Sequence, residues 1–284
     1  MTAQKKTAPA LAGHDGSPLI SNQRLLELYG AMLRSRMLER RIRPLRGAAR
    51  KAAFGAGHEA AVAGTLVGLK QSDAISVPAG ALSPCLVKGV PVKTIFNWLG
   101  RQADAVPQKN TARMVIAPAA DLAAQIKAAL RVARLYREAK NRNVVAVFCE
   151  GPRIMRGEAL ELVRAAAAER LPVLFVCYLS SAKTDIAAQA CTHGFPGIPV
   201  DGHDVVAVYR VASEAIAHAR RGNGPTLIEC KPWVMSGAKK QAPSDAIRNM
   251  EEYLSRKGLF SAEHRAKIAA QFAQVLEKAA AAPR

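Results

Sequence analysis

The residues best placed to do chemistry are Cys149-Glu150-Gly151 with the nearby Arg153 and Arg156, and a second group, Leu179-Ser180-Ser181. Each group follows a short apolar run, residues 144–148 and 173–178. Runs of that length and β-branched content suit strands covered on both faces, as in a parallel sheet. Between them Leu160, Val163, Ala166 and Ala167 recur at helical spacing and give one packing face. Strand, helix, strand with both strands buried is a right-handed crossover unit. Open α/β sheets take their ligands outside the carboxyl ends of the strands, so a small cofactor is expected at these two ends. Arg153 and Arg156 stand where a phosphate would meet a helix N-terminus, and could neutralise an anion without a metal. Two arginines solvating a loop is the simpler account, and Pro152 removes one backbone donor from that loop.

The flanking chain supplies the other elements. Ser21 or Asn22 can cap a helix over 25–42, which presents Leu25, Leu28, Tyr29, Met32 and Leu33 on one side. Gly55-Ala56-Gly57-His58-Glu59 leads into a helix over 60–69, rich in small residues suited to close contact with a partner. His58 and Glu59 are adjacent and do not share a helix face, so a helix-entry pair that caps and hydrogen-bonds is preferred to catalysis. Residues 73–77 read as a strand, and 78–84 as a loop with no ionisable side chain. A helix covers 94–99, a polar connector 100–113 and a short strand 114–116. Asp121 caps an amphipathic helix carrying Leu122, Ile126, Ala129, Leu130, Ala133 and Tyr136. After the central unit come an Ala-rich helical turn, a glycine- and proline-rich loop (HGFPGIPVDGHD), a helix over 205–220 and a strand over 226–230. A polar loop around Lys239 and Lys240 precedes closing helices near 244–257 and 261–278.

At 284 residues, half of them hydrophobic, the chain can bury one large core. It has no run of about 18 uninterrupted apolar residues, so no membrane span is expected. Five scattered cysteines without metal spacing read as free thiols in a reducing cytoplasm. Lys and Arg number 41 against 22 Asp and Glu, a net charge of +19. That excess suits a nucleic acid, an acidic protein or an anionic ligand. The bases are spread along the chain. Even the densest group (Arg34, Arg36, Arg40, Arg41, Arg43, Arg46) points in several directions on a helix. Aromatics at 5% are too few for a base-stacking platform, and a nucleic-acid partner is not expected.

The segments LLELYGAMLRSRMLERRI, GHEAAVAGTLVGLK, NVVAVF, LPVLFV, GIPVDGHDV, GPTLIEC and EEYLSRKGL occur in order over most of residues 23–278. In that order the set resembles the alpha subunits of thiamine-diphosphate-dependent 2-oxo acid dehydrogenase first components, which act on pyruvate, branched-chain 2-oxo acids or acetoin. The resemblance implies the thiamine-diphosphate-binding fold, a single α/β domain over 22–284 with a mainly parallel sheet flanked by helices. Residues 1–21 would be a flexible N-terminal arm. It further implies thiamine diphosphate and magnesium as cofactors. The expected partner is a beta subunit in a heterotetramer, with an acyltransferase core as a further contact. The activity implied is oxidative decarboxylation of a 2-oxo acid with acyl transfer to a lipoyl carrier. No catalytic residue is expected from this chain, because the family assigns cofactor activation to the beta partner.

In that family the cofactor motif opens with Gly-Asp-Gly after the first central strand and closes with Asn-Asn after the second. Carried onto this chain, the cofactor-binding positions are Glu150, Gly151, Arg153 and Arg156, and the metal positions are Glu150 and Ser180. A hard divalent cation wants oxygen ligands at fixed distances. Glu150 keeps a carboxylate on a stem one methylene longer, Leu179 cannot ligate, and the Ser180 hydroxyl replaces an amide carbonyl poorly. The family's Tyr-Arg-Asp-His-Gly loop is replaced by Ala79-Gly80-Ala81-Leu82-Ser83. Its Gly-Lys-Gly-Gly-Ser-Met-His segment is missing between Gly100 and Met114, and the loops after the second central strand and the last strand are shortened. The expectation is a divergent homologue with weak or absent cofactor binding, a pseudoenzyme with a scaffold or regulatory role. An active enzyme with a beta subunit is the alternative, and a basic nucleic-acid-associated protein the third.

Overall fold

The structure, a computed structural model, describes residues 20–46, 57–100, 115–116, 121–179, 184–231 and 245–281. The N-terminal arm, the 100–113 connector, Ser180, Ser181 and the loop around Lys239 fall outside these residues apart from Ile20, Ser21 and Gly100. In chain order the helices and strands are α1 (Asn22–Ile42), α2 (Glu59–Leu66), β1 (Ala74–Ser76), α3 (Leu82–Val87), α4 (Val92–Gly100), β2 (Val115–Ile116), α5 (Leu122–Glu138), β3 (Val145–Glu150), α6 (Gly157–Ala168), β4 (Val173–Tyr178), α7 (Ile186–Thr192), β5 (Gly197–Asp201), α8 (Val205–Arg220), β6 (Thr226–Lys231), α9 (Ala246–Arg256) and α10 (Ala262–Ala281).

Among the described residues the strands form one six-stranded sheet in the order β2-β1-β3-β4-β6-β5. Every pairing is parallel. β3 and β4 are its two central strands, paired in register from Val145 opposite Val173 to Glu150 opposite Tyr178. Their side chains alternate between two apolar layers. Ala146, Phe148, Leu174 and Val176 join a cluster with α2, α3, α4 and α8. Val145, Val147, Val173 and Phe175 join one with α5, α6 and α7. A sheet covered on both faces explains why these strands read as continuous apolar runs rather than as alternating ones. A third cluster joins α1 and α9 to the outer side of α2 and the start of α8.

Local chemistry sets the helix starts. The Ser21 side chain accepts from the Arg24 N–H, Asp121 from Ala124, and Asp204 from Val206 and Ala207. Asp73, fully buried at the start of β1, accepts from the Val144 and Lys70 N–H groups and pairs with Arg220 at 2.5 and 3.1 Å. That pair clamps the end of α8 to the entry edge of the sheet.

Three expectations need correction. The segment HGFPGIPVDGHD is not all loop, because its Gly197–Asp201 portion is edge strand β5. A strand bonded on one side only tolerates Pro199, whose missing N–H breaks no ladder. Gly197 is required there, since a Cβ would fall 2.0 Å from the Ala187 carbonyl oxygen. The 78–84 loop is shorter than expected, because α3 begins at Leu82. Finally, helix α2 spends its small residues inside this chain, with every one of its eight residues buried. A Cβ on Gly64 would meet Val208 Cγ1 of α8 at 2.7 Å, so this helix offers no face to a partner.

Candidate functional site

The carboxyl ends of the central strands bring together four of the five expected positions. β3 runs two residues further than the apolar run and ends at Glu150, which is exposed. Gly151 follows in the left-handed region at φ 70°, and its N–H donates to the Tyr178 carbonyl at 2.9 Å. Only glycine adopts that φ and ψ without strain. Residues Pro152–Met155 then make a 3₁₀ turn, closed by the Arg156 N–H on the Arg153 carbonyl at 3.1 Å. Arg153 and Arg156 are exposed on that turn, each without an ion pair among the described residues. The fifth position, Ser180, lies outside the described residues.

The inner side of this loop is apolar. Ile154 and Met155 turn inward and join Leu179, Ile186, Cys149 and Phe195 in one buried cluster. Leu179 is 1% exposed, so its isobutyl group is a core side chain at the end of β4. The Leu179 N–H donates to the Cys230 carbonyl at 2.8 Å, which ties this strand end to β6. Among the described residues, no three His, Cys, Asp or Glu side chains converge on a point where a metal could sit. Glu229, fully buried on β6, is committed elsewhere: it accepts from the Ile186 and Ala187 N–H groups and so holds the start of α7.

On the opposite face of the same strand ends sits a group of rings that sequence reasoning missed. Tyr178, the last residue of β4, meets the His58 ring edge-on with 3.8 Å between centroids. Its hydroxyl lies 3.3 Å from His203 Nε2. His203 is 92% buried, its Nδ1 has no hydrogen-bond partner among the described residues, and the Asp201 carboxylate is 3.8 Å from that nitrogen. Burial, aided by nearby Cys230, Glu59 and Asp201, pushes the Tyr178 hydroxyl up to about 12. The phenol therefore stays protonated at neutral pH and can donate to an imidazole or to an anion. A pocket of about 410 Å³ opens beside His203, lined also by Asp204, Arg210, Asn249 and Arg256.

Glu59 is part of the wall behind these rings, not a cap partner of His58. Its carboxylate takes Arg36 Nε and, at 2.9 Å, the Gly57 N–H. Arg36 also forks onto Asp245 at 3.0 and 3.1 Å, joining α1, α2 and α9. The hydrogen bond to Glu59 is the main reason the Arg36 guanidinium is held above its ordinary range. The helix-entry reading of His58-Glu59 thus holds for Glu59, through hydrogen bonds. The sequence signal for the ring group was the pair of Gly-His-acid tripeptides, Gly57-His58-Glu59 and Gly202-His203-Asp204.

Comparison with known proteins gives one family. The family described as "Dehydrogenase E1 component" matches residues 29–253. The alpha subunit of acetoin:2,6-dichlorophenolindophenol oxidoreductase from Cupriavidus necator is 30% identical over 249 residues, 78% of this chain and 74% of that one. The 3-methyl-2-oxobutanoate dehydrogenase alpha subunit of Mycobacterium tuberculosis is 27% identical, over 85% of this chain and 71% of its own length. The chloroplastic pyruvate dehydrogenase E1 alpha-3 subunit of Oryza sativa is 27% identical, over 87% and 64%.

Proposed function

We propose, on the premise that this chain belongs to the dehydrogenase E1 component family, that it is an alpha-type homologue with a degraded cofactor site and a scaffold or regulatory role in a complex. One observation carries the reading: Leu179, at the strand end where the family's motif carries its Asn-Asn pair, is 1% exposed in an apolar cluster with Ile154, Met155 and Ile186. Magnesium needs near-octahedral oxygen ligands, and a buried hydrocarbon wall offers none. In this reading the described side chains at this strand end suit a magnesium–diphosphate group poorly. Arg153 and Arg156 can neutralise charge but cannot impose that geometry. The partner in this reading is a beta subunit, with a heterotetramer as the assembly and an acyltransferase core as a further contact. A reducing cytoplasm suits its cysteines, none of which is in a disulfide among the described residues. Among those residues, too, no helix is long and apolar enough to cross a membrane.

A second reading has its own observation. Glu150 keeps an exposed carboxylate at the end of β3, Tyr178 ends the adjacent strand β4, and His203, just past β5, lies beside the Tyr178 hydroxyl. These would suit active 2-oxo acid decarboxylation with a beta subunit. Co-expression with a beta subunit separates the two readings. The proposal expects a stable complex with no 2-oxo acid-dependent dye reduction. It also expects Glu150→Asp with Leu179→Asn and Ser180→Asn to improve metal-dependent cofactor binding. Turnover by the unaltered complex supports the second reading and overturns the first.

A further inference from the structure

We propose that the basic pocket between α1, the end of α2 and the α3–α4 turn is a binding site for a phosphate group, free or carried by a small metabolite. The pocket has a volume of about 360 Å³. Among the described residues lining it, Arg24, Arg34, Lys70 and Lys88 stand against a single carboxylate, Glu27. It lies at the entry edge of the sheet, where Lys70 and Gln71 lead into β1, and so at the far end from Glu150 and Tyr178. It owes nothing to the reading of the cofactor site.

The four cations are not equivalent. Arg24 is engaged by Glu27 at 2.6 Å and by the Val67 carbonyl at 3.1 Å. The buried Lys88 ammonium sits on the Lys70 and Gln71 carbonyls at 2.6 and 3.0 Å, which fixes its position. Arg34 is the exception. Half-buried on α1, it makes no ion pair and no hydrogen bond among the described residues. Its guanidinium lies over Gly30, where a Cβ would come within 3.1 Å of Arg34 Nη1. Glycine in the interior of a helix is costly, and here the space it leaves is filled by a charged fork. Burial lowers the Arg34 pKa from its ordinary range. A planar fork of donors with no acceptor matches a phosphate oxygen pair bidentately. Lys70, exposed at the rim, adds a point charge. Beyond the Arg24–Glu27 pair, Arg34 and Lys70 on one opening favour a ligand carrying more than one negative charge.

The test uses the full chain at constant ionic strength in chloride, titrated by calorimetry with inorganic phosphate and separately with ribose 5-phosphate. Saturable one-site binding is expected from at least one of them, and the tighter ligand tells a free phosphate from a phosphate ester. Arg34→Met should weaken binding at least tenfold and Lys70→Gln severalfold. Arg131→Gln, an exposed arginine on α5, should change nothing. Without phosphate, Arg34→Met should melt no lower than the parent, because it removes a charge with no partner. Phosphate should raise the melting temperature of the parent and not of that variant. Lack of saturable binding by both anions, or equal binding by the parent, Arg34→Met and Lys70→Gln proteins, overturns the proposal. So does an Arg34→Met protein that melts well below the parent without phosphate, which would assign the arginine a structural role.

Discussion

Replacing Leu179 by asparagine inserts the amide that the family motif carries, and the structure predicts a loss of stability from this change by itself. The side chain is 1% exposed among Ile154, Met155 and Ile186. Giving up the burial of a leucine costs about 1.5–3 kcal/mol, and a buried amide with unmatched hydrogen bonds costs about 1–3 kcal/mol more. Together these amount to roughly 2.5–6 kcal/mol. In a chain of this size each kcal/mol moves Tm by about 2–4 °C, so the fall is on the order of 10 °C. Leu179→Met, which keeps volume and apolarity, should cost less than about 1.5 kcal/mol and serves as the control. Urea unfolding followed by circular dichroism, with calorimetric Tm beside it, gives both values. An asparagine variant within about 1 kcal/mol of the parent would refute the reasoning, because position 179 would then accept a polar ligand without penalty.

Three further outcomes follow from the same geometry. Arg220→Met strands the fully buried Asp73 carboxylate without its partner and should cost about 3–5 kcal/mol, with Asp73→Asn added to it recovering part of that in a double-mutant cycle. Arg36 holds the Asp245 carboxyl below the usual carboxylate range, so this pair's stability is present above the unfolded value near pH 4 and is lost as pH falls through the lower folded value. Asp245→Asn should therefore flatten the acid limb of stability against pH, and an unchanged limb would contradict the assignment. Tyr178, pushed up to about 12 chiefly by burial, contributes stability that is full below the ordinary tyrosine range near pH 10 and fades as pH rises toward 12. In ultraviolet titration Tyr178→Phe should remove one phenol from the late-ionising set, and loss of an early-ionising phenol instead would contradict it.

The central unit was legible because its signal is local. Two continuous apolar runs gave β3 and β4, and their burial on both faces put them in the middle of the sheet. The helix over 205–220 was legible to the residue, since Asp204 caps its start and two charged positions, Arg220 and Arg221, close it. β5 was not, because an edge strand with one ladder and a half-exposed face carries Gly197 and Pro199, the residues that otherwise mark a loop. The destination of α2 was also hidden. Small residues announce close packing without naming the neighbour, which proved to be α8 of the same chain. At the candidate site, the order Glu150, Gly151, Arg153, Arg156 was readable, while the inward turn of Ile154 and Met155 was not. The ring group joins His58, Tyr178 and His203 across β4 and the loops beside it. Residues so far apart in sequence carry no spacing that could reveal their contact.

The degraded-site account is tested most directly by calorimetric titration of the full chain with thiamine diphosphate and magnesium, alone and with a beta subunit present. The account predicts magnesium-dependent binding no tighter than about millimolar in both cases. Binding at roughly micromolar or tighter, abolished by removing magnesium, would contradict it and give the active-enzyme reading its place.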